Sequence, residues 1–296
     1  MARTLVIQLA RLGDLVQTMP MITALRKQSP RDTIDLLCPE PLRDLGTLIP
    51  GLDRVIGWDG SRWNRWAARA TQGIQPDQRE EIEHDLGALC PHIYDRAFVL
   101  NQHTRAIVAG ALLAKECVGP LAQGPLSEQL TPWAAYIREI ARTRRSNRIR
   151  LSDAFCGMCG LIPPGTPPRC LTPLVSPSRN LEQIGRGGGP WIGIIVGAGD
   201  PARLVPVDVW RTWIVRFLAV LPRGRVVLIG HGAECERARD IQQTLPPSIL
   251  GRIWDITGQT TIHELAQTLT RCHHVIGSDT GPVHLAAAVH SLTQPV

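Results

Sequence analysis

Residues 274–288 read His-Val-Ile-Gly-Ser-Asp-Thr-Gly-Pro-Val-His-Leu-Ala-Ala-Ala: a short apolar run, a polar turn and an alanine-rich segment. This order is typical of a buried strand that turns into a helix. Pro282 suits the first turn of that helix, where its missing N–H costs nothing. Asp279 or Thr280 suits the position that caps it. The stretch therefore predicts a strand–turn–helix unit of an α/β fold.

The turn in this stretch has the features of a phosphate-binding site. Gly281 lets the backbone come close to a ligand, because it has no side chain. The helix that follows offers free N–H groups and the positive end of its dipole, which attract anions. His284 would lie about one turn into that helix, near the same opening. The alternative interpretation is a capped helix after a buried strand, and this stretch alone does not separate the two.

A second strand–turn–helix pattern lies near the start of the chain. Residues 4–10 form a mostly apolar run, and Arg11, Gly13 and Asp14 follow it at a turn. Ligands of open α/β sheets bind outside such strand ends. The pattern therefore predicts a second turn that faces a ligand.

Together the two turns resemble those of the ADP-heptose:lipopolysaccharide heptosyltransferases, glycosyltransferase family 9. In that family an N-terminal Gly-Asp turn faces a C-terminal Asp-Thr-Gly-Pro-x-His turn across a cleft, and the resemblance runs from residue 1 to 296. It implies a GT-B architecture, two Rossmann-like doubly wound α/β domains facing across that cleft. It also implies an inverting, metal-independent glycosyltransferase that moves a heptose from ADP-heptose to a lipopolysaccharide-core or related glycan acceptor.

Composition and length fit a soluble globular protein of two domains. The chain has 296 residues, 44% hydrophobic and 20% charged, with neither an apolar run of about 20 residues nor a signal peptide. These features predict a cytoplasmic protein, and the resemblance adds peripheral contact with the inner membrane. The net charge of +6 favours phosphorylated or membrane-surface partners. Because the basic residues are spread out and no nucleic-acid-binding signature occurs, we expect no nucleic-acid partner.

The order of strand-like and helix-like runs predicts two doubly wound domains. Residues 1–161 open with a β-α-β-α-β pattern. Residues 162–190 are rich in proline and glycine and predict a linker, and residues 191–296 repeat the alternation. Members of the resembling family continue with another strand, a loop and a last helix, so we expect the C-terminal domain to be incomplete. An inactive nucleotide-sugar-binding remnant is therefore an alternative to an active enzyme.

We expect neither a metal nor another cofactor. Cys156 and Cys159 with Cys170 have part of the spacing of a metal knuckle, but the missing second pair and the apolar neighbours favour a buried helix face. Metal-dependent glycosyltransferases commonly carry an Asp-x-Asp pair, and this sequence has none. Gly-x-Gly at 197–199 and 230–232 is too short for the dinucleotide fingerprint. This argues against the alternative enzyme class, an NAD(P)-dependent oxidoreductase.

The candidate for the catalytic base is Asp14. A transfer with inversion needs a group that takes the proton of the acceptor hydroxyl, and the matching Asp of the resembling family has that role. The alternative is that Asp14 is the N-cap of a helix, which it could be at the same time.

The candidates for binding the nucleotide sugar follow from the resemblance. They are Arg203, Glu234, Asp279, Thr280, Gly281, Pro282 and His284. Arg203 stands where the family usually has Lys, a change that keeps the charge but alters the geometry, and Val205 replaces a Trp. The family residue that matches Glu234 binds the nucleoside, usually its ribose. The alternatives are a carboxylate stabilised by a helix dipole for Glu234, and a satisfied helix histidine for His284.

The acceptor side carries weaker signals. Its candidates are Arg11, Gly13, Arg62, His103 and Arg105. Arg62 lies in a stretch with Trp58, Trp63 and Trp66, and tryptophan with arginine suits sugar stacking and phosphate pairing. An amphipathic helix that packs its tryptophans inward explains the same stretch.

Overall fold

The computed structural model divides the chain into two compact units. It describes residues 1–59, 76–119, 121–123, 127–129, 132–143, 147–171, 179–186 and 188–289. Unit 1 is Met1–Pro168 and unit 2 is Arg169–Val296. The division falls inside the stretch that the sequence assigns to a linker, residues 162–190.

Unit 1 contains a five-stranded parallel sheet. Its strands are β1 (Arg3–Ile7), β2 (Thr33–Pro39), β3 (Arg54–Trp58), β4 (Tyr94–Val99) and β5 (Ala114–Val118). Their order is β3-β2-β1-β4-β5, with every neighbouring pair parallel. The order reverses between β1 and β4, and in doubly wound sheets ligands bind outside the carboxyl ends of the strands at such a reversal.

The helices of unit 1 lie mostly between these strands. They are α1 (Leu12–Gln17), α2 (Met19–Gln28), α3 (Arg43–Gly46), α4 (Pro76–Leu89), α5 (Thr104–Leu113), α6 (Pro132–Arg142) and α7 (Leu151–Met158). A 3-10 turn spans Glu40–Leu42, and an antiparallel hairpin joins β6 (Leu121–Gln123) to β7 (Ser127–Gln129).

The first helix differs from its predicted form. The pattern from Leu15 to Lys27 predicts one helix, with Pro20 tolerated only near its start or at a kink, and the structure has two helices, α1 and α2, separated at Thr18. Pro20 is the second residue of α2 and has no N–H to donate to a carbonyl one turn earlier, so the first helix ends and a second begins. The break leaves α1 only six residues long.

Unit 2 repeats the architecture with four parallel strands. They are β8 (Trp191–Ile195), β9 (Arg225–Ile229), β10 (Ile253–Asp255) and β11 (His274–Ile276), in the order β10-β9-β8-β11. The helices are α8 (Arg179–Glu182), α9 (Val207–Val220), α10 (Cys235–Gln243), α11 (Pro247–Leu250), α12 (Ile262–Arg271) and α13 (Gly281–Val289), with 3-10 turns at Pro201–Arg203 and Gly232–Glu234. The reversal here lies between β8 and β11.

Each sheet is covered by its own apolar core. In unit 1 the core includes Leu5 and Ile7 of β1, and in unit 2 it includes Ile194 of β8 and Trp210 of α9. Parallel strands buried on both faces appear in sequence as nearly continuous apolar runs, which is why the ends of the strands in the two parallel sheets could be predicted with an error of at most three residues. The doubly wound α/β class is confirmed. Among the described helices, none has both the length and the apolar character that crossing a bilayer would require.

The cysteines with part of the spacing of a metal knuckle differ in burial, since Cys156 is buried and Cys159 and Cys170 are half-buried. Cys156 is completely inaccessible, and burial raises the pKa of its thiol to about 11. Burial likewise raises the pKa of Cys170 to about 12. A neutral thiol is a poor metal ligand, and the described residues contain no group of three or more His, Cys, Asp or Glu side chains that could hold an ion.

Candidate active site

The turn after β11 leads directly into α13. The helix begins at Gly281 with Pro282 in its first turn, as predicted. The carbonyl of Thr280 accepts hydrogen bonds from the N–H groups of Val283 at 3.1 Å and His284 at 3.4 Å. Thr280 therefore stands at the start of the helix, where the backbone N–H groups point out of its end.

Asp279 brings an arginine and a histidine side chain to this helix start. His284 Nε2 lies 3.0 Å from Asp279 Oδ1. Arg203 Nη1 donates to the Asp279 carbonyl at 2.6 Å and lies 3.5 Å from Oδ2. The Asp279 side chain is 69% exposed, so the group is accessible to a ligand. A guanidinium and an imidazole beside a helix N-terminus form a favourable environment for a phosphate.

The strand order explains why Arg203 reaches Asp279. The two residues are 76 positions apart in sequence. Arg203 follows β8 and Asp279 follows β11, and these strands pair with each other at the reversal of the sheet. The residues predicted for the donor at these two turns therefore meet at one end of one sheet.

Glu234 lies at the neighbouring turn, after β9. Its Oε2 accepts a hydrogen bond from the His231 N–H at 2.7 Å. The carboxylate lies directly against two glycines: a Cβ at Gly197 would stand 1.4 Å from Oε1, and one at Gly230 would stand 2.7 Å from Oε2. The two Gly-x-Gly segments thus leave room for a carboxylate. Glu234 is also the last residue of the 3-10 turn and the N-cap of α10. It therefore has the alternative role as well, that of a carboxylate at the start of a helix.

Sequence reasoning missed Arg237, which supports this part of the site from α10. Arg237 Nε donates to the Val196 carbonyl at 2.8 Å, and Nη2 donates to the Val205 carbonyl. These bonds tie the end of β8 to the far side of the loop that carries Arg203. An arginine in a polar helix gives no local signal of such a role, because its partners are distant in sequence.

The N-terminal turn places Asp14 in the first turn of α1. The N-cap of this helix is Arg11, and Asp14 is its third residue. Asp14 Oδ2 accepts a hydrogen bond from the Arg11 N–H at 3.2 Å. The alternative that Asp14 is itself the N-cap is therefore wrong, because the helix begins two residues earlier, at Leu12. From the third helical position, the partly exposed Asp14 carboxylate thus accepts the hydrogen bond of the N-cap backbone. Gly13 immediately precedes it.

His103 and Arg105 stand across the sheet reversal from this turn. His103 immediately precedes α5, and Arg105 Nη2 donates to the Leu9 carbonyl at 3.1 Å. Burial and the charge of Arg105 lower the pKa of His103, while the Asp14 carboxylate acts in the opposite direction. The structure thus brings Asp14, His103 and Arg105 together at the carboxyl ends of the neighbouring strands β1 and β4. Arg62, with Trp63 and Trp66, lies outside the described residues.

A buried polar group behind Asp14 was also missed. It consists of Gln8, Thr18 and Asn101, with exposures of 0%, 0% and 8%. Two of its hydrogen bonds join Gln8 Nε2 to Thr18 Oγ1 and Asn101 Nδ2 to Gln8 Oε1. The available sequence signal was the polar Gln8 inside an apolar run, since buried polar side chains require partners.

Comparisons with known proteins agree on one family. The model of Glycosyltransferase family 9 (heptosyltransferase) matches residues 88–293. No curated protein sequence matches the chain.

Solved structures are similar over nearly the whole chain. E. coli ADP-heptose lps heptosyltransferase II shares 19% sequence identity over 99% of this chain and 84% of its own, with a TM-score of 0.64. A family 9 glycosyl transferase from Veillonella parvula DSM 2008 shares 17% over 99% and 80%, with a TM-score of 0.75. E. coli heptosyltransferase WaaC with ADP-2-deoxy-2-fluoro heptose shares 18% over 99% and 88%, with a TM-score of 0.66. At these identities the likeness concerns the fold, that of GT-B glycosyltransferases with two Rossmann-like units.

Proposed function

The chain belongs to glycosyltransferase family 9, and from this premise we propose that it moves a heptose from ADP-heptose to a lipopolysaccharide-core or related glycan acceptor. The transfer we propose inverts the configuration at the sugar carbon and uses no metal ion. Two similar E. coli structures, one named for ADP-heptose and one with ADP-2-deoxy-2-fluoro heptose, support this choice of donor. The enzyme class itself, a glycosyltransferase, follows from the family.

The observation that carries the proposal is the group of Arg203, Asp279 and His284 at the start of α13. The Arg203 guanidinium, the His284 imidazole and the helix N–H groups would meet the negative charge that grows on the leaving diphosphate. Protein donors in this arrangement supply the positive charge that a metal supplies in other transferases. Glu234, between Gly197 and Gly230, would accept hydrogen bonds from the ribose hydroxyls.

The proposed base is Asp14. Its carboxylate would take the proton of the acceptor hydroxyl as the oxygen attacks the anomeric carbon of the heptose. A new C–O bond forms, and the bond between that carbon and the diphosphate oxygen breaks with its electron pair leaving on ADP. Arg11, Gly13, His103 and Arg105 would bind the acceptor near the same carboxylate.

The enzyme we propose works in the cytoplasm, in peripheral contact with the inner membrane. The proposed acceptor is a membrane lipid, and the net charge of +6 would favour an anionic surface. This part of the proposal would be tested by sedimentation with anionic vesicles at low and high salt.

Nucleotide binding tests the donor site. Isothermal calorimetry without metal would measure binding of ADP, UDP, GDP and NAD to the wild type, to Asp279→Ala and to Asp208→Ala. Asp208 is an exposed carboxylate on α9 that pairs with Arg211, so its variant is a matched control. We expect ADP to bind selectively, with affinity lowered about tenfold or more in Asp279→Ala and unchanged in Asp208→Ala.

Each other outcome decides against one part of the proposal. A preference for UDP or GDP would overturn the donor, and binding of NAD would favour the oxidoreductase. If no nucleotide binds, the proposed donor site is wrong, whereas binding of ADP without transfer would favour the inactive nucleotide-sugar-binding remnant. For the base, Asp14→Asn should lower transfer by about 100-fold or more and leave ADP binding intact. Full transfer by Asp14→Asn would show that another group takes the proton.

A further inference from the structure

The buried polar group behind the N-terminal turn is continuous with the backbone of Asp14. Asn101 Nδ2 donates to Gln8 Oε1 at 2.5 Å, and Gln8 Nε2 donates to Thr18 Oγ1 at 3.1 Å. Thr18 Oγ1 in turn donates to the Asp14 carbonyl at 2.9 Å. We call this chain of three hydrogen bonds the Asn101–Asp14 relay. It connects Asn101, the second residue after β4, to the candidate base through Gln8, the first residue after β1.

One backbone donor fixes the direction of the whole relay. The Leu9 N–H donates to Asn101 Oδ1, so the NH₂ of Asn101 must point at Gln8. Gln8 must then present its carbonyl to Asn101 and its NH₂ to Thr18. The Thr18 hydroxyl, which already accepts from Gln8, is left to donate its single hydrogen to the Asp14 carbonyl. A reversal at any link would bring two donors or two acceptors together, which is costly in a buried site.

The helix that carries Asp14 needs such support. α1 has six residues and ends at the break at Thr18, and isolated helices of this length are not stable in water. Its orientation must therefore come from the rest of the unit, through packing of the buried Leu15 and Val16 and through bonds to the sheet. The relay provides one such bond at the carbonyl of Asp14. Leu9, whose N–H fixes the direction of the relay, is itself held by a hydrogen bond from Arg105 to its carbonyl.

We propose that Gln8, Thr18 and Asn101 are positioning residues for Asp14, which hold the first turn of α1 at a fixed place above the reversal of the sheet. This inference rests on the proposed role of Asp14 as the base. The three side chains act through the Asp14 backbone and would not touch the substrates. Their effect would appear in turnover and only weakly in substrate binding, because a shift of about 1 Å in a reacting group can lower a rate about 100-fold.

The test compares two threonines that make the same local bond. Thr23 Oγ1 donates to the Met19 carbonyl at 3.0 Å, four residues back, as Thr18 does to Asp14, and Thr23 is not a member of the relay. Thr18→Val, Thr18→Ser and Thr23→Val would be made in the wild type and in Asp14→Asn. The measurements are kcat and KM with ADP-heptose and a heptose-free lipopolysaccharide core, and amide hydrogen exchange of α1 by NMR.

We expect Thr18→Val to lower kcat about tenfold to 100-fold with KM for ADP-heptose nearly unchanged. Thr18→Ser keeps the hydroxyl and should restore most of kcat, and Thr23→Val should not change it. In the Asp14→Asn background Thr18→Val should have no further effect, since a residue that acts through Asp14 loses its influence with it. Wild-type turnover in Thr18→Val, or an equal loss in both backgrounds, would overturn the proposal.

Amide exchange separates this inference from the proposed function. Thr18→Val should speed exchange of the Leu15 N–H, which bonds the Arg11 carbonyl at 3.1 Å, about fivefold to tenfold. If Asp14→Asn keeps full turnover, or the wild type transfers no heptose, the proposed function fails, and exchange alone decides whether the relay holds the turn. Unchanged exchange in Thr18→Val would overturn the relay whatever the activity.

Discussion

The position of the Glu234 side chain depends on two neighbouring glycines, which have no side chain of their own. Its carboxylate overlaps the place that a Cβ of Gly197 would take and lies close to where a Cβ of Gly230 would stand, and it accepts a hydrogen bond from the N–H of His231 at 2.7 Å. The two glycines follow β8 and β9, which are adjacent in the sheet. The position of this carboxylate is therefore set by backbone on two strands, and any added side-chain atom at Gly197 must displace it.

Gly197→Ala should displace Glu234 and destabilise unit 2. The new methyl group would overlap Oε1, so the carboxylate must leave its hydrogen bond, and we expect a loss of about 1–3 kcal/mol in the free energy of unfolding. Urea unfolding of the full chain would measure it. Gly232→Ala is the control, because no atom lies within 4 Å of a Cβ there, and its effect should stay within about 0.5 kcal/mol. Equal effects of the two changes would contradict this account.

At the scale of elements, the proposed donor site depends on how α10 holds the loop after β8. Arg237 bonds the carbonyls of Val196 and Val205, one on each side of the segment that contains Arg203. Arg203 in turn reaches the Asp279 carbonyl. α10 is thus connected to the start of α13 through the loop that carries Arg203. Arg237 itself is not a member of the group formed by Arg203, Asp279 and His284.

Arg237→Met should weaken ADP binding although Arg237 lies behind the loop. Without its two hydrogen bonds the loop is no longer fixed, and we expect about a fivefold to tenfold loss of affinity. Arg239→Met is the matched control, since Arg239 lies on the same helix and is exposed. Calorimetry with ADP would measure both variants. If Arg237→Met binds ADP like the wild type, the loop does not need this support.

At the scale of the whole molecule, each unit has its own sheet, its own core and its own set of candidate residues. Unit 2 carries all the residues proposed for the nucleotide, and unit 1 carries the proposed base and the described acceptor candidates. A ligand that binds one unit should therefore stabilise the sheet of that unit first, because binding to the native state is linked to its stability.

ADP should protect the strand ends of unit 2 from hydrogen exchange. At about 100 times its Kd, ADP would slow exchange by up to about 100-fold in amides whose opening releases it, and we expect these after β8, β9 and β11. Exchange measured by mass spectrometry on the full chain would locate them, with UDP at equal concentration as the control. Protection centred on the turn after β1 would place the nucleotide in unit 1 and contradict the assignment.

The fold was largely predictable because its signals are local. Buried parallel strands appear as apolar runs, and the turn of residues 277–280 with Pro282 marks the start of a helix without any tertiary information. Local rules failed where two of them competed. Periodicity predicts a helix from Leu15 to Lys27, Pro20 restricts it, and the structure has a break at Thr18. The first helix also begins earlier than predicted, at Leu12, which makes Asp14 its third residue and Arg11 its N-cap.

The sequence by itself determined two doubly wound units and the turns that carry chemistry, because periodicity and turn residues are properties of neighbouring positions. Only the tertiary structure decided which turns meet. The reversal of strand order brings Arg203 to Asp279 across 76 residues and Asn101 to Gln8 across 93. Arg237 and the Asn101–Asp14 relay were unpredictable for the same reason. Their hydrogen bonds join strands and helices whose pairing is fixed by packing of the whole sheet, and no local pattern records that order.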